Sequence, residues 1–214
     1  MSISVEVRQL YKSYLESENP ILNNFSMILP PGSMNALVGP SGSGKTTLLN
    51  CLSGLDGFQS GTIILGSHVM NPEDHRASSL FRRQHIGLTF QDPRLLPEFT
   101  VLENVLIPMR LDGSWDEAWG KSLLDDVGCS DLKDRFPHQL SGGQAARIGL
   151  ARAMVRKPSL WLLDEPTGNL DPVTADTIKT FIQKLHRTLK PTTLIVTHNS
   201  TLADICERQI SLAC

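Results

Sequence analysis

The stretch Gly39-Pro40-Ser41-Gly42-Ser43-Gly44-Lys45-Thr46 restricts this chain more than any other feature. It fills every fixed position of the pattern G-x-x-x-x-G-K-S/T. An apolar run, Ala36-Leu37-Val38, leads into it, and a helical pattern begins at Lys45. Glycines at this spacing let the backbone curl until several N–H groups converge on one anion. The positive end of the following helix strengthens that field. Strand, loop and helix in this order belong to an α/β sheet whose ligands sit at the carboxyl ends of parallel strands. In such a site Lys45 neutralises β- and γ-phosphate oxygens, and the Thr46 hydroxyl takes a place on Mg²⁺. Pro40, Ser41, Ser43 and Thr47 complete the candidate cradle. The loop specifies a nucleotide, but neither its base nor its use.

The remaining pattern agrees with such a sheet. Strands are expected at residues 4–10, 34–38, 61–65, 86–90, 159–163, 192–197 and 208–212. Helices are expected at 45–53, 101–109, 115–127, 144–156, 172–189 and 201–206. This alternation predicts an α/β fold with short buried strands. Segments 4–10 and 26–29 have no helical crossover between them, so an antiparallel edge is expected there. Residues 92–136 carry helical patterns and no strand. The chain is therefore read as one domain, 1–214, with a core of 1–91 and 157–214 and a helical subdomain at about 92–156.

Bulk properties exclude several classes. At 214 residues, with 40% hydrophobic and 20% charged, the chain has the composition of a soluble globular domain. A net charge of -2 gives no broad basic face, and no nucleic-acid partner is expected. No run of about 18 apolar residues could cross a bilayer. The start lacks the basic and apolar segments of a signal peptide. Four cysteines without a CxxC pair read as reduced thiols, not as a zinc site or disulfide framework.

Two further segments carry chemistry. Leu160-Trp161-Leu162-Leu163-Asp164-Glu165 is an apolar strand ending in two acids. Asp164 is placed to hold Mg²⁺, and Glu165, one residue on, to face an attacking water. Leu140-Ser141-Gly142-Gly143-Gln144 opens a second helix with a candidate cap, Ser141, and accessible backbone N–H groups. One chain thus carries two glycine-rich helix starts suited to a phosphate. The surplus points to a nucleotide held by another copy.

Leu140–Gln144 is identical to the LSGGQ signature of ABC (ATP-binding cassette) ATPases, and the resemblance covers nearly the whole chain. It implies a P-loop NTPase fold with a RecA-like core, an antiparallel β edge and an inserted helical subdomain. It implies ATP and Mg²⁺ as ligands, and two cassettes facing head to tail. Each then closes Ser141, Gly142, Gly143 and Gln144 on the ATP held by its twin. Gln91 resembles the glutamine that contacts Mg²⁺ and links the nucleotide to the helical subdomain. His198 resembles the switch histidine that bonds the γ-phosphate and orients water with Glu165. Gly168-Asn169-Leu170-Asp171 looks like the loop through which Asp171 touches the opposite cassette. Tyr14 resembles the aromatic that stacks on adenine, with Tyr11 as the rival for that role. Leu95-Leu96-Pro97-Glu98-Phe99-Thr100-Val101-Leu102-Glu103-Asn104-Val105 resembles the LolD/MacB/FtsE branch, whose members drive lipoprotein release, macrolide export and cell division. That likeness implies an ATP-hydrolysing subunit working at the cytoplasmic face of the inner membrane. It would power export or extraction through separate permease subunits.

Other features fit less firmly. Ala145-Ala146 stands where the family often carries polar residues, while Arg147 is kept. Trp115 and Trp119 read either as helix packing or as a docking site for the permease. Arg82-Arg83 reads as a solvated charge pair, and His68, His75, His85, His138 and His186 as surface or packing residues. The rival function is a soluble ABC ATPase acting on nucleic acid or ribosomes. Such proteins usually carry tandem cassettes, a coiled coil or a zinc module, and no such feature occurs in this sequence.

Overall fold

The computed structural model describes residues 2–14, 19–168 and 170–212. Asn169 and Cys214 lie outside them. Two sheets form. An antiparallel sheet has the order β2-β1-β4-β5, from β1 (Val5–Lys12), β2 (Leu22–Leu29), β4 (Ser60–Leu65) and β5 (His68–Val69). A parallel sheet has the order β6-β7-β8-β3-β9. Its strands are β3 (Met34–Val38), β6 (Ile86–Thr89), β7 (Leu160–Asp164), β8 (Thr192–Val196) and β9 (Arg208–Ser211). The expected antiparallel edge is present, with Val5 opposite Leu29 and Val7 opposite Met27. The strand β2 begins earlier than the expected segment, at Leu22.

Burial on both faces explains the apolar strands. In β7, Trp161 and Leu163 face one core, and Leu160 and Leu162 the other. Ile195 of β8 joins the first, while Leu194 and Val196 join the second. Side chains alternate across a strand, so a parallel sheet covered on both sides reads as a continuous apolar run. The first core is closed by α3 (Val101–Arg110), α4 (Glu117–Asp126), α5 (Gly142–Met154) and α6 (Pro172–Leu189). The second lies between the two sheets and α1 (Lys45–Ser53).

Between β6 and β7 the chain forms only helices and short 3-10 turns. Thr100 opens α3 with a capping box, its hydroxyl accepting from the Glu103 backbone while the Glu103 carboxylate returns to Thr100. Asn104, fully buried, donates to the carbonyls of Leu96, Phe99 and Thr100 and so pins the preceding loop onto α3.

One helix has no counterpart in the sequence reading. The segment His75–His85, α2, is capped by Asp74 but holds only Leu80 and Phe81 as large apolar residues. It corrects the reading of Arg82-Arg83 as solvated. Arg82 donates to the carbonyls of Ser53 and Gly54 and closes the carboxyl end of α1. Arg83 bonds Asp112 and the Leu111 carbonyl just past α3, and Arg156 joins the same carboxylate. The short helix α7 (Ser200–Ala203) is capped by Asn199 and ends three residues before its expected limit.

Candidate functional site

The chain leaves β3 at Val38 and turns directly into α1, whose N-cap is Gly44 at φ 91 with no side-chain cap. Side chains would clash here. A Cβ on Gly39 would lie 2.5 Å from the Leu212 carbonyl oxygen, and one on Gly44 would lie 2.7 Å from the Ile21 side chain. Both glycines are thus required by close approach, and Gly44 also by its left-handed backbone. The uncapped helix start faces a cavity of ≈ 440 Å³. Gly39, Ser41, Gly42, Gly44, Lys45, Thr46 and Thr47 line one side. Gln91, Asp164, Glu165 and His198 line the rest, with Ile21 and Val196. The carboxyl ends of β3, β6, β7 and β8 supply this set, as the α/β topology requires.

Within it, Lys45 Nζ donates to the carbonyls of Gly39 at 2.8 Å and Pro40 at 2.7 Å. The Thr46 hydroxyl donates to Asp164 Oδ2 at 2.9 Å. Burial pushes the Asp164 carboxyl above the usual carboxylate range, as does the Glu165 charge, against the pull of Thr46 and Lys45. Glu165 adopts φ 45, a left-handed conformation uncommon for a non-glycine residue. Its backbone N–H bonds the Val196 carbonyl at 2.9 Å, which ties the turn to β8. Its carboxylate lies 2.8 Å from His198 Nδ1 and accepts from the His198 backbone N–H at 3.3 Å. Strain of this kind persists where the surroundings over-determine it.

The sequence-derived residues separate into those gathered here and those that are not. Pro40 and Ser43 do not line the cavity, and Ser43 is 2% exposed with its hydroxyl turned inward. Tyr14 is 41% exposed beyond the end of β1, next to Thr47, while Tyr11 is half-buried within the strand, opposite Ser60. Ser141, Gly142, Gly143 and Gln144 form the start of α5 and line no part of the cavity. Asp171 caps α6, accepting from the backbones of Val173 and Thr174 and from the Thr174 hydroxyl. The two tryptophans part company. Trp119 donates to the Val155 carbonyl at 2.8 Å and packs, while Trp115 precedes α4 and is 49% exposed.

Some site residues carry no motif. Ile21 and Val196 touch the cavity as ordinary apolar residues. Arg152 donates to the carbonyls of Pro93 and Arg94 and so fastens the loop after Gln91 to α5. Gly149 permits this contact, since a Cβ there would lie 2.8 Å from Pro93.

An anion cradle after β3, an oxygen pair at Thr46 and Asp164, and a carboxylate beside the cradle define a P-loop nucleotide hydrolase. Comparison with known proteins narrows the class. The ABC transporter family profile matches residues 22–168. The lipoprotein-releasing system ATP-binding protein LolD of Myxococcus xanthus is 40% identical over 98% of this chain and 96% of its own length. LolD of Colwellia psychrerythraea is 39% identical over 99% of this chain and 84% of its own. A dimeric post-hydrolysis structure of the ATP-binding cassette MJ0796, bound to ADP and Pi, superposes with a TM-score of 0.91 at 31% identity, over 97% of this chain and 93% of that one. The chain belongs to the ABC transporter family, as an ATP-hydrolysing subunit.

Proposed function

We propose that this chain binds ATP and Mg²⁺ in the ≈ 440 Å³ cavity and hydrolyses ATP as half of a head-to-tail pair of cassettes. The observation that carries the reading is the Glu165–His198 pair, 2.8 Å apart, on the wall that faces the phosphate loop. Thr46, Asp164 and Gln91 offer an all-oxygen donor set, with Thr46 and Asp164 already 2.9 Å apart, which suits a hard cation. When bound, Mg²⁺ neutralises charge on the β- and γ-phosphate oxygens. Lys45 moves from its own loop carbonyls to those oxygens. Glu165 accepts a proton from the attacking water, and His198 holds that carboxylate and bonds the γ-phosphate. Ser141–Gln144 of the second copy complete the grip, and Asp171 lies toward that copy.

The partner in the membrane is proposed to be a separate permease. No helix among the described residues is long and apolar enough to cross a membrane. A groove of ≈ 450 Å³ lies between the core and the helical segment. Leu55, Ile86, Leu88, Phe90, Ile107 and Leu111 supply its apolar lining, and Arg82, Arg83, Arg152 and Arg156 its basic groups. A cytoplasmic permease segment with apolar and acidic residues fits that lining. Phe90 precedes Gln91, so an occupant there borders the nucleotide. Residues 92–156 would then move as a lobe against the core. Likeness to the lipoprotein-releasing relatives supports export or extraction, at the cytoplasmic face of the inner membrane, over work on nucleic acid.

Glu165→Gln is expected to keep ATP binding and slow phosphate release by about 100- to 10,000-fold. Steady-state phosphate release with the permease present measures this. A variant that turns over at the normal rate removes Glu165 from the reaction.

A further inference from the structure

The end of β1 and the turn after α1 hold an arrangement that no step above uses. Lys12 is 6% exposed, and its ammonium bonds Asp56 Oδ1 at 2.7 Å. The other carboxylate oxygen, Oδ2, accepts from the Tyr14 hydroxyl at 2.6 Å. The same ammonium lies 4.6 Å from the centroid of the Tyr14 ring. One carboxylate therefore grips a cation and a phenol, and the cation covers the ring. Asp56 in turn is fixed to α1, its backbone N–H bonding the Asn50 carbonyl. Partial burial alone raises the Asp56 carboxyl. The hydrogen bonds from Lys12 and Tyr14 outweigh it and hold the group below its usual range.

The physical consequence is directional. A tyrosine beyond the end of a strand would ordinarily sample several rotamers. Here its tip is tied to α1, the helix whose first residues line the phosphate cavity. The ring's distance from the phosphate loop is thus set by α1 itself. With one face against Lys12, the opposite face is the one left for a base. A cation on one face of a ring also draws on its π electrons, which favours an electron-rich purine on the other.

We propose that Lys12 and Asp56 are positioning residues for the adenine base, fixing the Tyr14 ring as a one-sided stacking platform. This rests on the reading of Tyr14 as the adenine-stacking aromatic. A merely structural tie between β1 and α1 would alter the phosphate loop too. It would weaken any triphosphate, with or without a base.

The test compares Kd for ATP with Kd for inorganic tripolyphosphate, both with Mg²⁺, by calorimetry on the full chain. Tyr14→Ala is expected to weaken ATP by about 5- to 100-fold, the range for loss of one base–aromatic stack, and to leave tripolyphosphate unchanged. Asp56→Asn and Lys12→Met are expected to weaken ATP alone, by about 3- to 10-fold, as part of that stack is lost. Tyr14→Phe removes the hydroxyl's bonds to Asp56 and Thr47 on an exposed ring, and should show a smaller selective loss even if the charge variants fold poorly. Equal loss for both ligands overturns the proposal in favour of a structural tie. So does unchanged ATP binding in Asp56→Asn and Tyr14→Phe while Tyr14→Ala is selectively weakened. If Tyr14→Ala binds ATP normally, the platform reading itself fails.

Discussion

The starts of α1 and α5 are both rich in glycine, yet the chain treats them in opposite ways. At α1 no side chain caps the helix, and its backbone faces a cavity. At α5 the cap is complete. The Ser141 hydroxyl accepts from the Gln144 backbone, and the Gln144 side chain accepts from the Ser141 backbone. The glycines differ as well. Gly39 and Gly44 are demanded by their own neighbours, with 2.5 Å and 2.7 Å clearances for a Cβ. Gly142 is not, since a Cβ there would meet nothing within 4 Å. A helix start left open inside a cavity waits for a ligand of its own chain. The proposed reading gives the self-capped, exposed start, whose Gly142 has open space around it, to a nucleotide that arrives with a second copy.

That contrast can be broken at either end. Lys45→Ala strikes the open start. The side chain makes two bonds in its loop and is free to make charge-assisted bonds to phosphate, so its loss should weaken ATP binding by about 100-fold or more. Calorimetry with Mg²⁺-ATP reads this on a single copy. Gly142→Asp strikes the self-capped start. An acid in the first turn suits the helix dipole, so the isolated chain should be at least as stable as before. Binding of ATP to the single copy should stay within twofold, because Gly142 lines no part of its cavity. Hydrolysis should nonetheless fall by about 100-fold, since like charges brought together cost several kcal/mol. If Gly142→Asp instead weakens single-copy binding as Lys45→Ala does, the two starts are not different in kind. The smallest effect sharpens the point. Gly142→Ala should raise stability by about 0.5–1 kcal/mol in chemical denaturation, because a helical glycine is exchanged where a methyl group has room. A loss of stability there would mean that the glycine serves the chain's own fold.

The difference also marks what could be read in the residues. Helix α1 at Lys45–Ser53, strand β3 at Met34–Val38 and helix α6 at Pro172–Leu189 fall on their expected limits. Each has local signals, such as a glycine turn, an apolar run, or the Asp171 cap followed by proline. Helix α5 begins two residues early, at Gly142, because the Ser141–Gln144 capping box outweighs the poor helix propensity of two glycines. Helix α2 was illegible, since almost all its residues are polar and its anchors, Arg82 and Arg83, bond carbonyls and a carboxylate far away in the chain. The same holds at the candidate site. Lys45, Thr46, Asp164 and Glu165 stand in local patterns. The side chains of Ile21, Arg152 and Asp56 meet their partners Gly44, Pro93 and Lys12 across 20 or more residues. In the single chain Ser141–Gln144 line no part of the cavity.

The central claim is that one nucleotide lies between the open helix start of one copy and the self-capped start of another. Sedimentation of the Glu165→Gln chain with its permease segment supplied, in Mg²⁺-ATP and in Mg²⁺-ADP, tests it most directly. The cassette should double in mass with ATP alone, and Gly142→Asp in the same background should abolish the doubling. A cassette that holds ATP yet sediments as a single copy, or a pair that survives Gly142→Asp, contradicts the account.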